Sequence, residues 1–109
     1  MVIHSGLLQG MEDWDNDEAK EFVLNNIRVP IGTVNKPMMP HSVFGLAKGI
    51  GENGEWAART ALRILDGTDP SDIPETTNKE ATIMVNLDLA EKLDIIFSPD
   101  ILKNAEIYQ

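Results

Sequence analysis

Short apolar runs of strand character alternate with stretches of helical period along this chain. That alternation confines it to an α/β architecture with a largely parallel sheet. Val2–Ser5 reads as a short strand, followed by a turn region over Gly6–Gly10. Asp13–Asn26 has a helical pattern that sets Ala19, Phe22, Val23 and Ile27 on one face. Asp15, Asn16 and Asp17 offer N-caps or first-turn acids suited to the positive end of the helix dipole. Val29–Thr33 reads as a strand entered through Pro30, and Val43–Leu46 as another. Between them Asn35–Pro40 reads as a loop, because two prolines in this stretch deny hydrogen bonds to helix and ladder alike.

The strongest helix spans Glu52–Asp66, with acids at its start, Arg59 and Arg63 later, and Gly67 at the expected C′ position. Its expected core face is Ala57, Ala58, Ala61, Leu62 and Leu65, with alanines small enough to approach a sheet closely. Asp69–Pro74 is a rigid connection and Ala81–Val85 a β-rich run. Asn86 then caps a helix over Leu87–Leu93, and Ser98-Pro99 opens a last short helix ending near Ala105. About four short strands and four helices make a thin doubly wound sheet. A chain that opens on a strand, with no core element before it, reads as a piece of something larger.

Composition narrows the function classes. At 109 residues the chain is one domain or less, and 42% hydrophobic content suffices for a core. The net charge of -9, with no two of the nine basic residues adjacent, excludes a nucleic-acid partner. The absence of cysteine excludes a disulfide framework, a thiolate zinc site and cysteine catalysis. No run approaches the roughly 18–20 apolar residues of a membrane span. Met1-Val2-Ile3-His4 has neither the basic nor the apolar region of a signal peptide.

The stretch from Gly51 to Asn86 carries a family resemblance. An acid and glycine, Glu52 and Gly54, lead into an Ala-rich helix with Ala57, Ala58 and Ala61. Ile64-Leu65, Gly67, Pro70 and Ile73-Pro74 follow, and then a strand ending in Asn86. Ala90, Leu93, Ile95, Pro99, Ile101-Leu102 and Ala105 close the pattern. Together with Val29-Pro30-Ile31-Gly32 and Val43–Leu46 upstream, this resembles the ABC-transporter substrate-binding family of periplasmic-binding-protein type I fold, over roughly residues 29 to 108. One departure is Asp94, where that family usually has glycine; Asp tolerates left-handed geometry better than most residues.

The resemblance implies a Rossmann-like three-layer α/β/α lobe, with residues 1–109 as a single C-terminal segment of a longer two-lobed protein. It implies an extracytoplasmic binder of a small solute, with a membrane permease as partner and a signal peptide upstream of this segment. It implies no enzyme activity and no cofactor.

Five residues are candidates for the solute site. Trp14, in the acid-rich start of a helix after a strand, either stacks on ligand beyond the strand's carboxyl end or staples the helix start. Met38 and His41 follow the strand at Val29–Thr33 and occupy the same kind of position, with Met38 offering a soft, adaptable surface. Glu52 and Asn53 precede the main helix; with Glu55 nearby, Glu52 suits a cationic group or simply complements the helix dipole. His4 and His41 have no metal-ligand spacing, and neither Ser5 nor Ser42 has a nucleophile setting, so no catalytic or metal site is expected.

Three alternatives remain open. One is a sensory version of the same fold, attached to a signalling protein such as a histidine kinase. Another is a small nucleotide-dependent α/β enzyme built on Gly49-x-Gly51-x-x-Gly54, a bare motif with no ribose-binding acid in a βαβ context. The third is a stand-alone dimer in which copies complete each other's sheet. In every case the isolated chain is expected to self-associate through exposed sheet edges.

Overall fold

The computed structural model describes residues 1–4, 6 and 11–109. Most of the turn expected over Gly6–Gly10, and Ser5 at the end of the first strand, lie outside the described residues. The chain forms two compact units: Met1–Ala47 with Thr82–Gln109, and the intervening Lys48–Ala81.

The first unit is built on a five-stranded sheet in sequential order. The strands are β1 (Val2–His4), β2 (Ile31–Thr33), β3 (Phe44–Lys48), β4 (Ala81–Asn86) and β5 (Glu106–Tyr108). β1 and β2, β2 and β3, and β4 and β5 pair in parallel. β3 and β4 run antiparallel: Asn86 N–H, at the end of β4, donates to Val43 O just before β3. Gly49 N–H, just after β3, donates to Glu80 O just before β4. Three of the four pairings are parallel, so the sheet is largely parallel as expected, with one antiparallel pair at β3 and β4. β5 is additional, since the sequence read only a helix ending near Ala105.

Helix α1 (Asn16–Asn26) starts later than expected because Asp15 is its cap, its carboxylate accepting from the Asp17 and Glu18 N–H groups at 2.8 and 2.9 Å. Ile27, just past its end, is buried with Val43, Leu89 and Ala90, and Val23, Leu24, Ile31, Leu93, Ile95 and Phe97 pack around them. Phe22, expected on the buried face, is 68% exposed. Asn86 caps the short helix α3 (Leu87–Lys92) through the Leu89 N–H and ties its own amide to Met39 O at 3.1 Å. Asp94 then adopts φ 55°, the left-handed turn expected of it. Ser98 caps α4 (Pro99–Asn104), with Pro99 at the first helical position.

Residues 36–41 form a 3-10 helix, not a loop. Met38 N–H bonds Asn35 O at its start and Ser42 N–H bonds Met39 O at its end, and Pro37 sits in the first turn, where a helix needs no N–H donor. Its Met39 lies over Gly45 of β3. A Cβ at Gly45 would stand 2.7 Å from both Met39 Sδ and Met84 Cε, so a larger residue there would push the two methionine ends aside.

The second unit is α2 (Ile50–Leu65) and the segment that follows it. Gly67, at φ 99°, closes the helix end: Asp66 N–H bonds Leu62 O, Gly67 N–H bonds Ile64 O and Thr68 N–H bonds Arg63 O. The face expected to be core is exposed. Leu62 is 61% and Leu65 81% open to solvent, and Ala57, Ala58 and Ala61 are exposed as well. The helical period was right, but among the described residues of this unit nothing covers that stripe.

Candidate functional site

The pleat register places His4, Thr33 and Gly45 side by side on β1, β2 and β3. His4 and Thr33 thus end neighbouring parallel strands, the position at which open α/β sheets hold ligands. The Thr33 hydroxyl donates to His4 O at 3.1 Å and accepts the Asn35 N–H at 3.1 Å, fixing the exit of β2 into the 3-10 helix. That helix carries Met38 and His41, both buried. Met38 lies against Gly6, which takes φ 77° there.

His41 is the centre of the cluster. Its ring stacks on His4, centroids 6.0 Å apart and planes at 25°, and makes a T-shaped contact with Trp14, centroids 6.1 Å apart and planes at 67°. It is 1% exposed, and among the described residues neither ring nitrogen completes a hydrogen bond. The buried Ser42 hydroxyl is equally unpartnered. Burial holds the His41 imidazole below its ordinary range; the Asn16 backbone lies near enough to oppose this, and the neighbouring His4 reinforces it. Trp14 is anchored from its other side, its indole N–H donating to Asn16 Oδ1 at 2.9 Å.

The structure thus brings together Trp14 and His41 and sets Met38 on the same short helix. Glu52 and Asn53 belong to a different place, the start of α2. There the Glu52 carboxylate accepts from the Lys79 N–H at 2.7 Å, the Glu80 N–H at 3.0 Å and the Asn78 amide. Those backbone bonds, Glu80's first, hold Glu52 below the usual carboxylate range. Asn53 Oδ1 also accepts from the Asn78 amide, at 2.8 Å. Glu52 and Asn53 line an open groove with Trp56, Glu75, Thr76, Thr77 and Asn78, of about 390 Å³. Trp56, 44% exposed, is its aromatic wall.

His4 and Trp56 were not singled out as binding residues from the sequence. The signal for His4 was its place at the end of the first strand, which had been weighed only for metal spacing. Trp56 lay outside the positions expected to form the core face of its helix, Ala57, Ala58, Ala61, Leu62 and Leu65. The glycines Gly49, Gly51 and Gly54 span the cap and first turns of α2, and nothing lies within 4 Å of a Cβ added at Gly51 or Gly54. Gly49 is thus the single residue joining β3 to α2, with Gly51 and Gly54 inside the helix. Among the described residues, no group of three or more His, Asp or Glu side chains is placed to hold a metal ion.

The family model for ABC transporter substrate binding proteins matches residues 24–108. The chain belongs to that family. No curated protein matches it. Two solved structures share the fold of this family member. One, a conserved domain protein from Vibrio cholerae O1 biovar El Tor, is 18% identical with TM-score 0.60, the match covering 85% of this chain and 32% of that one. The other, the ABC domain in complex with L-Trp from Streptococcus pneumoniae, is 20% identical with TM-score 0.54, covering 73% of this chain and 28% of that one. This substrate-binding family chain therefore spans about a third of the length of the solved structures it matches. Both likenesses agree with an α/β lobe, and no helix among the described residues is long and apolar enough to cross a membrane.

Proposed function

We propose that this chain is the C-terminal segment of an extracytoplasmic solute-binding protein, contributing part of a cleft that closes on a small organic solute. The observation that carries this reading is the family match over residues 24–108. The bound L-Trp of the Streptococcus pneumoniae neighbour makes amino-acid-like solutes, aromatic ones first, the class to try. Closure of lobes by hinge motion on the ligand would present the protein to a membrane permease. No step of this function requires bond chemistry or a cofactor.

Within the chain, Trp14, Met38 and His41 are the ligand candidates at the strand ends, with Trp14 supplying an aromatic surface. Glu52 and Asn53 are candidates through the groove they form with Trp56. The uncovered stripe of α2 and the exposed edge strand β1 support self-association of the isolated chain.

The test is a thermal-shift screen of the longer parent protein against amino acids and small metabolites, with this chain in parallel. A specific solute raises the melting temperature by mass action. A response of the parent to L-Trp or a related solute, absent from the short chain, supports the reading. A response of the short chain to nucleotides alone would reject it. Sedimentation of the isolated chain checks the association: assemblies larger than one copy are expected, and a clean monomer contradicts them.

A further inference from the structure

We propose that copies of this chain meet head to tail, the apolar stripe of α2 in one copy lying in the groove beside Phe22 on α1 of the next. The pairing rests on the self-association put forward above and names the two surfaces that make it.

Both surfaces are apolar and exposed, and their borders carry opposite charge. On α1, Phe22 is 68% exposed. It walls a groove of about 490 Å³ whose apolar lining adds Trp14, Ala19 and Val23, and whose rim carries Asp13 and Glu18. The stretch around it is the most acidic in the chain: residues 12–21 hold Glu12, Asp13, Asp15, Asp17, Glu18 and Glu21 against one base, Lys20. Asp15 is occupied as the helix cap, while no ion pair among the described residues engages the other five.

On α2, Leu62 and Leu65 are 61% and 81% exposed, with the exposed Ala58 beside them at helical spacing. Arg59 and Arg63, one position further along the helix than Ala58 and Leu62, run down one side of that ridge. They stand four residues apart, whereas the next closest bases, Lys20 and Arg28 or Arg28 and Lys36, stand eight apart. This is therefore the densest basic strip in the chain. Arg59 is held by Glu55 one turn earlier, and Arg63 has no ion-pair partner among the described residues.

Charge selects this pairing over its rivals. Copies of a chain with net charge -9 repel one another, so contact is favoured where the sign is locally reversed. The Arg59–Arg63 strip is such a place, and the acid rim beside Phe22 is its complement. Two α2 stripes laid together would instead set Arg63 of each copy beside a second basic strip. The edge strand β1 offers Val2, Ile3 and His4, with neither Lys nor Arg. Because the two surfaces differ, each copy uses one and presents the other, which builds rings or open chains and not a symmetric pair. One stripe in one groove is a small contact, of the kind that holds weak, reversible complexes, so assembly depends on concentration.

The experiment is sedimentation velocity of the full chain over a concentration series, with two variants at exposed positions. Phe22→Asp spoils the groove and leaves the stripe; Leu62→Asp spoils the stripe and leaves the groove. Each alone should stay monomeric where the unaltered chain assembles. An equimolar mixture should recover a species of two copies and nothing larger, since one intact groove meets one intact stripe. That recovery also shows that both variants fold. Arg63→Glu should lower the association constant several-fold, and an unchanged constant overturns the pairing. Association that survives Phe22→Asp, or a mixture that stays monomeric, overturns the head-to-tail pairing and leaves self-association standing. An unaltered chain that is monomeric at every concentration overturns both. Should a variant not fold, amide NMR spectra of the unaltered chain decide: signals from residues 17–22 and from residues 58–65 should both move with concentration, and movement confined to one set overturns the pairing.

Discussion

The two units obey the same pattern rules and end in opposite states. In the unit of Met1–Ala47 and Thr82–Gln109, apolar positions find partners, and Met38, Met39, Met84, Val85 and Leu89 are buried to completion or nearly so. In Lys48–Ala81, an equally well-patterned helix keeps its apolar stripe in solvent, and polar bonds tie the segment that follows it, among them the Glu52 carboxylate accepting the Lys79 and Glu80 N–H groups. Amphipathic period specifies which face a helix would bury, not whether the same stretch of chain supplies the cover. The contrast agrees with a segment whose second unit takes its core from elsewhere in a longer protein.

Substitutions can break or sharpen this contrast. The largest effect is expected in the first unit: Leu89→Ala should destabilise by about 2–5 kcal/mol in chemical denaturation, since its cavity opens among Ile27, Val43 and Ala90. Next, Asn86→Ala removes both the α3 cap and the tie to Met39 O, and a loss of about 1–3 kcal/mol is expected by the same measurement.

The second unit should respond locally. Glu52 has a depressed folded pKa, so its contribution is present above the unfolded value of 4.5 and lost as pH falls through the folded one. Amide exchange at Lys79 and Glu80, corrected for intrinsic rates, should accelerate in that window, and Glu52→Gln should show the fast rates at neutral pH already. The smallest effect is expected at Leu62→Ala, within about 0.5 kcal/mol for the isolated chain. A cost above about 2 kcal/mol there would mean that the stripe is covered after all, and the contrast between the units would fail.

Local chemistry was legible in the sequence. Asp15, Asn86 and Ser98 cap helices as their residue types demand, Gly67 ends α2 in the left-handed region, and Asp94 holds a positive φ without being glycine. Each of these is settled by neighbours a few residues away. What escaped was decided at long range. β5 is a three-residue strand that exists because β4 offers it a ladder, with Val85 opposite Ile107. The antiparallel turn of β3 against β4 depends on a return after a whole inserted unit. In the candidate site, Trp14 and His41 were each visible as residues of interest. Their contact was not, nor was the stacking of His4, because side chains 37 positions apart meet only through strand register.

The insertion of one unit inside the other also sets an order of assembly during synthesis. β3 leaves the ribosome before its neighbour β4 does, and the inserted unit must emerge in between. At roughly 5–20 residues per second, β3 waits seconds with one edge unpaired and with Gly45 and Met39 lacking Met84 to close over them. A nascent chain of this kind depends on its late strands to finish its early ones, and stalling within the insertion leaves the sheet's most adhesive edge open to whatever else is nearby.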